Sequence, residues 1–211
     1  MPSIHEQAVA YLEQHPYIKE CLKKNLINYS KLSRYLASEL GLKQQQSHNA
    51  LLVACRRYQQ QLKPQLAQDH KIFSLLAQSE LEIKNKVMTV VIAKAAYLEK
   101  LLSIEKKIRA KADLFYAIEG TSAYTLITSE KYADEITQLF GYHVLTINTK
   151  LALLILKNPK EIETTPGVIA MLYTLFANHQ VNIVETLSCW TDTLIVVKEE
   201  DIGKVMQFLR F

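Results

Sequence analysis

The chain of 211 residues is long enough for one large domain or two to three small ones. Hydrophobic residues make up 49% of it and charged residues 22%, a balance that excludes extended disorder and predicts well-formed cores. The net charge of +4 lies in residues 1–70, because the Lys, Arg, Asp and Glu of residues 71–211 cancel. A negatively charged partner is therefore favoured only for the N-terminal third.

Several classes of protein are disfavoured by the absence of their signals. The N-terminus has no basic segment followed by an apolar run, and apolar stretches such as residues 151–156 fall far short of the ~20 residues of a membrane span. We expect a soluble, cytoplasmic protein with no membrane partner. Motifs for nucleotide binding, zinc hydrolysis and serine nucleophiles are missing, and the three cysteines form no CxxC pair. We predict no enzyme, no catalytic residue, no cofactor and no metal.

Residues 1–70 predict an all-helical domain, because they contain a single glycine and apolar residues at helical spacing. Four helices are expected, at residues 3–15, 17–26, 30–40 and 47–62. Ser3 and Ser30 are candidate N-caps, Gly41 is a candidate C-cap, and Pro64 is expected to end the last helix.

The third and fourth helices suggest a helix-turn-helix, and the segment from residue 27 to 37 resembles the lead-in of winged-helix regulators. Residues 30–40 would support a recognition helix at 47–62. The predicted loop, residues 41–46, is longer than the 3–4 residue turn of the simplest motif. The alternative is a helical bundle for dimerisation, and both remain open. The candidate DNA-binding residues are Lys31, Arg34, Asn49, Arg56 and Arg57.

The remainder of the chain repeats one order of elements. Residues 80–149 predict strand, helix, strand, strand and helix, at 86–94, 95–109, 112–119, 124–128 and 129–140, followed by a strand at 142–147. Residues 150–211 predict the same order, at 151–156, 167–179, 181–187, 193–198 and 199–208. The predicted fold class is α+β: a helix-turn-helix-like domain at 1–70 followed by two ferredoxin-like βαββα units at 80–149 and 150–211.

The second unit contains the most specific motif in the chain. Thr165-Pro166-Gly167-Val168-Ile169 joins a strand to a helix, where proline suits the first turn and glycine permits close approach of a ligand. The free N–H groups of that helix suit a carboxylate. Asn182-Ile183-Val184-Glu185 opens the next strand. A Pro-Gly turn followed by a strand beginning Asn-Ile resembles the ACT domain, especially its versions in aspartate kinases. The first unit matches in element order only, since 94–96 replace the Pro-Gly turn.

The resemblance implies a sensor whose units pair with another copy, at least as a dimer, and bind an amino acid or related metabolite between the loop of one unit and the strand of its partner. The loop residues carried over are Thr165, Pro166, Gly167, Val168 and Ile169, and the strand residues are Asn182, Ile183, Val184 and Glu185. Glu185 would hold the ligand's ammonium group. The expected effect of Gly167→Val is loss of effector binding with little loss of fold. The alternative is a ligand-free dimerisation or interaction module that controls a protein partner.

Overall fold

The computed structural model describes residues 2–94 and 98–209, except for the side chains of 65–67 and 98. The chain divides into two compact units, Met1–Phe73 and Ser74–Phe211. The first is helical, and the second contains a sheet and four shorter helices. The described residues 2–76 therefore have the predicted helical character.

Four helices form the first unit: α1 (Ile4–Glu13), α2 (Pro16–Lys23), α3 (Tyr29–Glu39) and α4 (Gln44–Leu76), of which the last continues into the second unit. Ser3 caps α1 as predicted, in a capping box with Glu6. Gly41, at φ +63°, follows the end of α3, and the N–H of Leu42 donates to the carbonyl of Ala37. This is a Schellman ending, so the predicted C-cap is confirmed.

The apolar stripes of these helices form one core, which includes Leu12, Leu36, Leu51 and Tyr58. The Tyr58 hydroxyl donates to the Glu13 carboxylate at 2.6 Å, which satisfies the polar end of a buried ring. Isolated helices of this length have little intrinsic stability. These helices remain folded because their apolar residues recur at helical spacing and are buried together.

Three predictions about this unit were wrong. The N-cap of α3 is Asn28, whose side chain accepts the N–H of Lys31 at 3.0 Å, so Ser30 already lies inside the helix. The connection to α4 is only residues 40–43, shorter than the predicted loop. Pro64 does not end α4, which continues for another twelve residues to Leu76. An interior proline costs about 3 kcal/mol, whereas each fully buried Ile or Leu contributes about 1.5–3 kcal/mol. Ile72, Leu75 and Leu76 are all buried, which outweighs the proline.

The second unit has six strands and four helices: β1 (Glu80–Ala93), α5 (Leu98–Arg109), β2 (Phe115–Glu119), β3 (Ala123–Ser129), α6 (Ala133–Phe140), β4 (Val144–Lys157), α7 (Val168–Asn178), β5 (Glu185–Cys189), β6 (Asp192–Lys198) and α8 (Ile202–Phe208). The sheet order is β2-β3-β1-β4-β6-β5, and every neighbouring pair is antiparallel. Strand, helix, strand, strand, helix occurs twice. The start of the helix predicted at 95–109 lies outside the described residues.

Two long central strands correct the predicted boundaries. β1 begins at Glu80, whereas the sequence predicted residue 86, and β4 joins the strands predicted separately at 142–147 and 151–156. The first half of β1 pairs with the second half of β4, from Glu80 opposite Lys157 to Lys84 opposite Leu153. The predicted boundary between 80–149 and 150–211 therefore does not separate the two halves of the sheet. Residues 80–84 of β1 pair in the second half, and residues 144–148 of β4 pair in the first.

Both long strands contain a bulge near their midpoint. Lys86 has φ +54° and Lys150 has φ +56°, a left-handed conformation that is uncommon for residues other than glycine. The Lys86 N–H donates to the Glu199 carboxylate at 2.6 Å, and the Lys150 N–H donates to the Glu130 carboxylate. Each glutamate directly follows the last strand of the opposite half. Two equivalent charge-assisted hydrogen bonds therefore join the halves.

The sheet is apolar on both faces. On one face, Met88 and Val90 of β1 pack with Leu101 of α5 and Ile136 of α6. Alternate residues point to the opposite face, where a second buried cluster contains Val87, Ile127, Leu151, Leu153, Ile155, Leu194 and Val196. This two-sided burial explains why the central strands read as nearly continuous apolar runs in the sequence.

Candidate functional site

The turn into α7 contains the loop residues of the predicted ligand site. A 3₁₀ turn (Lys160–Thr164) follows β4, and Gly167 stands as the N-cap of α7 with φ +94°. Among the residues that the structure describes, no side-chain oxygen caps this helix. The first N–H groups of α7 therefore retain the positive partial charge that attracts a carboxylate.

Thr165 is the unusual residue of this turn. Its side chain is only 4% exposed, and its Oγ1 has no hydrogen-bond partner among the described residues. A buried hydroxyl without a partner costs roughly 1–3 kcal/mol, and such groups are uncommon in folded proteins. Val168 is also buried and Ile169 is half-buried.

Gly167 requires a correction to the predicted effect of its substitution. At φ +94° any residue with a Cβ is strained, and a β-branched valine most of all. Gly167→Val would therefore damage the turn itself, so loss of binding in that variant would not identify a ligand contact. The expectation of little loss of fold was wrong.

The strand residues of the predicted site lie at the other end of α7. Asn182 is exposed, Ile183 is half-buried, and the Val184 N–H donates to the Val196 carbonyl at 2.8 Å. The Glu185 carboxylate accepts the N–H of Thr186 at 3.0 Å. α7 has 11 residues, and at about 1.5 Å per residue its two ends are roughly 16 Å apart. One chain therefore does not bring the predicted loop and strand residues into a single site.

A cleft of about 720 Å³ opens at this second end of α7. Polar side chains dominate the part of its lining that sequence reasoning missed: Asn148, Lys150, Lys198, Glu199 and Glu200. Asn182 and Val184 also line it. The sequence offered two weak signals: the polar pair Thr149-Lys150, which interrupts an apolar segment, and the acidic segment 199–201. Neither predicts a cleft unless the fold is already known.

The candidate DNA-binding residues are all exposed on α3 or α4 of the helical unit: Lys31, Arg34, Asn49, Arg56 and Arg57. The Arg34 Nε donates to the Ser30 carbonyl of its own helix, and the Arg56 guanidinium lies 6.0 Å from the centre of the Tyr29 ring. Ser33 and His48 hydrogen-bond across the two helices at 2.9 Å. Side chains of α3 and α4 therefore contact each other, and the basic residues lie on the exposed surface of these helices.

Metal and membrane features can be stated for the described part of the chain. Over residues 2–94 and 98–209, no three His, Cys, Asp or Glu side chains are grouped to hold a metal ion. Within the same residues, no helix is both long and apolar enough to cross a bilayer.

Similarity to known proteins is confined to structure. No model of a known protein family matches the sequence, and no curated protein matches it. An aspartate kinase from Clostridium acetobutylicum, described as an allosteric enzyme, is similar with a TM-score of 0.51 at 15% identity, over 62% of this chain and 33% of the kinase. The chain thus spans about a third of that kinase. At this identity the likeness shows the fold alone, and it supports the predicted ACT-like fold.

Two regulatory subunits of aspartate kinase are similar at lower scores. The one from Thermus thermophilus, in a ligand-free form, has a TM-score of 0.48 at 9% identity, over 61% of this chain and 92% of the subunit. The one from Thermus flavus has a TM-score of 0.49 at 10% identity, over 62% and 94%. These scores are too low to carry an argument about function.

Proposed function

We propose that the protein is a regulatory sensor that binds a small metabolite with an α-carboxylate, of the amino-acid class, at the turn into α7. The observation that carries this proposal is the buried, unbonded Thr165 hydroxyl beside a helix N-terminus that lacks a capping side chain. A carboxylate there would accept hydrogen bonds from the helix N–H groups, and from the Thr165 hydroxyl once the turn opens to expose it. The ACT-like fold supports the regulatory role.

A second copy of the chain would complete the site. Because the predicted loop and strand residues lie at opposite ends of α7, Asn182, Ile183, Val184 and Glu185 would reach the ligand from a partner. The two outer strands, β2 and β5, each have one edge that no described strand covers. Such edges are normally paired or protected. The proposal therefore includes a dimer at least, which light scattering at micromolar concentration tests.

The test of ligand binding is a thermal-shift screen of the twenty amino acids. A ligand that binds only the native state raises the melting temperature in proportion to ln(1 + [L]/Kd). Thr165→Val should reduce this ligand-induced shift. Thr164→Val is the matched control, since Thr164 is exposed and lies one residue away. Failure of all twenty amino acids to change the melting temperature would instead favour the ligand-free interaction module.

A second candidate function concerns the helical unit. Its surface carries the whole charge excess of the chain, and Arg56 and Arg57 form no ion pair among the described residues. These observations favour duplex DNA as the output of the sensor. Changing both arginines to Ala should lower the affinity and flatten its dependence on salt. If the wild-type protein does not bind duplex DNA even at low salt, a protein partner is the output.

A further inference from the structure

The strand pairing shows which residues of the two halves of the sheet occupy corresponding positions. Val87 pairs with Ser129 in the first half, and Leu151 pairs with Lys198 in the second. Lys198 therefore corresponds to Ser129, and residues 199–201 correspond to 130–132. On the outer strands, Tyr116 pairs with Ile127 as Glu185 pairs with Val196. Toward the preceding helix the second half has one residue more: Ala112 and Gln180 are the left-handed residues that end the two helices, four residues before Tyr116 and five before Glu185. Asp113 therefore has the segment 181–182 as its counterpart.

In the first half, the side chains at these positions pair with each other. The Lys131 ammonium lies 2.7 Å from the Asp113 carboxylate, which also accepts the Tyr132 hydroxyl. Hydrogen bonds from Lys131 and Tyr132 hold the pKa of Asp113 below its usual range. One ammonium group thus neutralises one carboxylate at this position.

In the second half, the corresponding residues cannot make that tie. The segment 181–182, in the place of Asp113, is Val-Asn and has no carboxylate, and Glu200 stands where the first half has Lys131, so the ammonium has become a carboxylate. Lys204 holds Asp201 at 2.8 Å, whereas the one ion pair of Glu200 among the described residues is with the exposed Lys198 at 3.3 Å. Glu200 and Asn182 both line the cleft of about 720 Å³.

A basic residue of β4 also lines the cleft. Lys150, at the bulge of β4, forms no ion pair through its ammonium group among the described residues. Its backbone N–H is already held by Glu130, which fixes the position of the residue. The lining of the cleft therefore includes the ammonium of Lys150, unpaired among the described residues, and the weakly paired carboxylate of Glu200.

We propose that this cleft is a second binding site, separate from the turn into α7, for a small molecule that carries both an ammonium and a carboxylate group. The ligand's ammonium pairs with the Glu200 carboxylate and donates to the side-chain carbonyl of Asn182, which lines the same cleft. Its carboxylate pairs with Lys150, and with Lys198 once Glu200 has a new partner. Asn182 belongs to both proposed sites, but Glu200 and Lys150 belong only to the cleft.

The test uses the full chain and a series of probes: glycine, β-alanine, 4-aminobutyrate and 6-aminohexanoate, which separate the two charges by increasing distances. Calorimetry should show saturable binding of at least one of them. Glu200→Lys restores the cation of the first half, so it should weaken that binding at least tenfold. Glu161→Lys makes the same charge change on an exposed residue of the 3₁₀ turn and should leave the affinity unchanged. Hexanoate and hexylamine, with one charge each, should bind at least tenfold more weakly.

Three results would overturn the proposal: no binding of the series to the wild-type protein, unchanged affinity in Glu200→Lys, or equal binding of hexanoate. Should Glu200→Lys not fold, Glu200→Gln removes the carboxylate alone and should also weaken binding tenfold. Thr165→Val should leave this affinity unchanged. Binding that is lost in Thr165→Val and kept in Glu200→Lys would place the ligand at the turn into α7, so the two proposals can fail separately.

Discussion

Thr165→Val should make the ligand-free protein more stable. Valine has nearly the shape of threonine, and it replaces a buried hydroxyl that has no partner among the described residues with a methyl group. Leaving that hydroxyl unbonded costs roughly 1–3 kcal/mol, and removal of the cost should raise the free energy of unfolding by about 1–2 kcal/mol. For a domain of this size, that corresponds to a rise in melting temperature of about 2–8 °C.

Differential scanning calorimetry of the ligand-free protein measures this effect. Thr164→Val, at the neighbouring exposed position, should change the melting temperature by less than about 2 °C, because surface substitutions usually stay within about 0.5 kcal/mol. A fall in melting temperature in Thr165→Val would refute the reasoning, since it would mean that the hydroxyl has a stabilising partner. Greater stability together with weaker ligand binding is the signature of a residue kept for function.

Three further predictions concern the fold. Asp113→Asn should reduce the loss of stability in acid. The pKa of Asp113 is lowered, so the stability that its carboxylate contributes is present above the unfolded pKa of about 4 and is lost as the pH falls through the folded value. Urea unfolding at pH 3 and pH 7 measures this effect, and a difference between the two pH values equal to that of the wild type would contradict it. Pro64→Ala should raise the free energy of unfolding by roughly 1–3 kcal/mol by restoring a helical N–H in α4, and any loss of stability in denaturant would count against it. Glu130→Gln and Glu199→Gln should each lower the free energy of unfolding by about 1 kcal/mol, because each carboxylate accepts the backbone N–H of a bulge residue. Amide hydrogen exchange should show faster opening of β1 and β4. Unaltered exchange would mean that the bulges are stable without these carboxylates.

Local signals in the sequence predicted the features that depend on neighbouring residues. Ser3 with Glu6 three residues later marks the start of α1, and Gly41 after an apolar stripe marks the end of α3. Each of these signals acts through hydrogen bonds within one turn. The interior proline of α4 is the opposite case, because burial of apolar residues a dozen positions later decided against the local preference.

The strands show where non-local pairing takes over. Residues 80–84 alternate polar and apolar side chains, but the segment is short, and only its pairing with the end of β4 makes it a strand. Lys86 and Lys150 carry no mark of a bulge in their residue type, since left-handed backbone is usually predicted from glycine or asparagine. Their conformation is stabilised by carboxylates that are distant in sequence.

The candidate sites also combine features that local sequence signals predicted with features that only the fold reveals. The Pro-Gly motif identified the turn into α7, and the structure adds the unbonded Thr165 hydroxyl, which no pattern of residues could reveal. That the loop and strand residues occupy opposite ends of α7 follows from the order of helix and strand. The charges of the cleft depend on which residues of the two halves correspond, and the correspondence became visible only through the strand register.

The most direct measurement of the central claim is a titration of the ¹⁵N-labelled protein with the amino acid that most raises its melting temperature. Binding at the turn into α7 should give the largest shifts at the amides of Gly167, Val168 and Ile169, whose N–H groups would meet the carboxylate, and Thr165→Val should reduce them. Saturation with no change at these amides, or with the largest changes around Lys150, would contradict the proposed site.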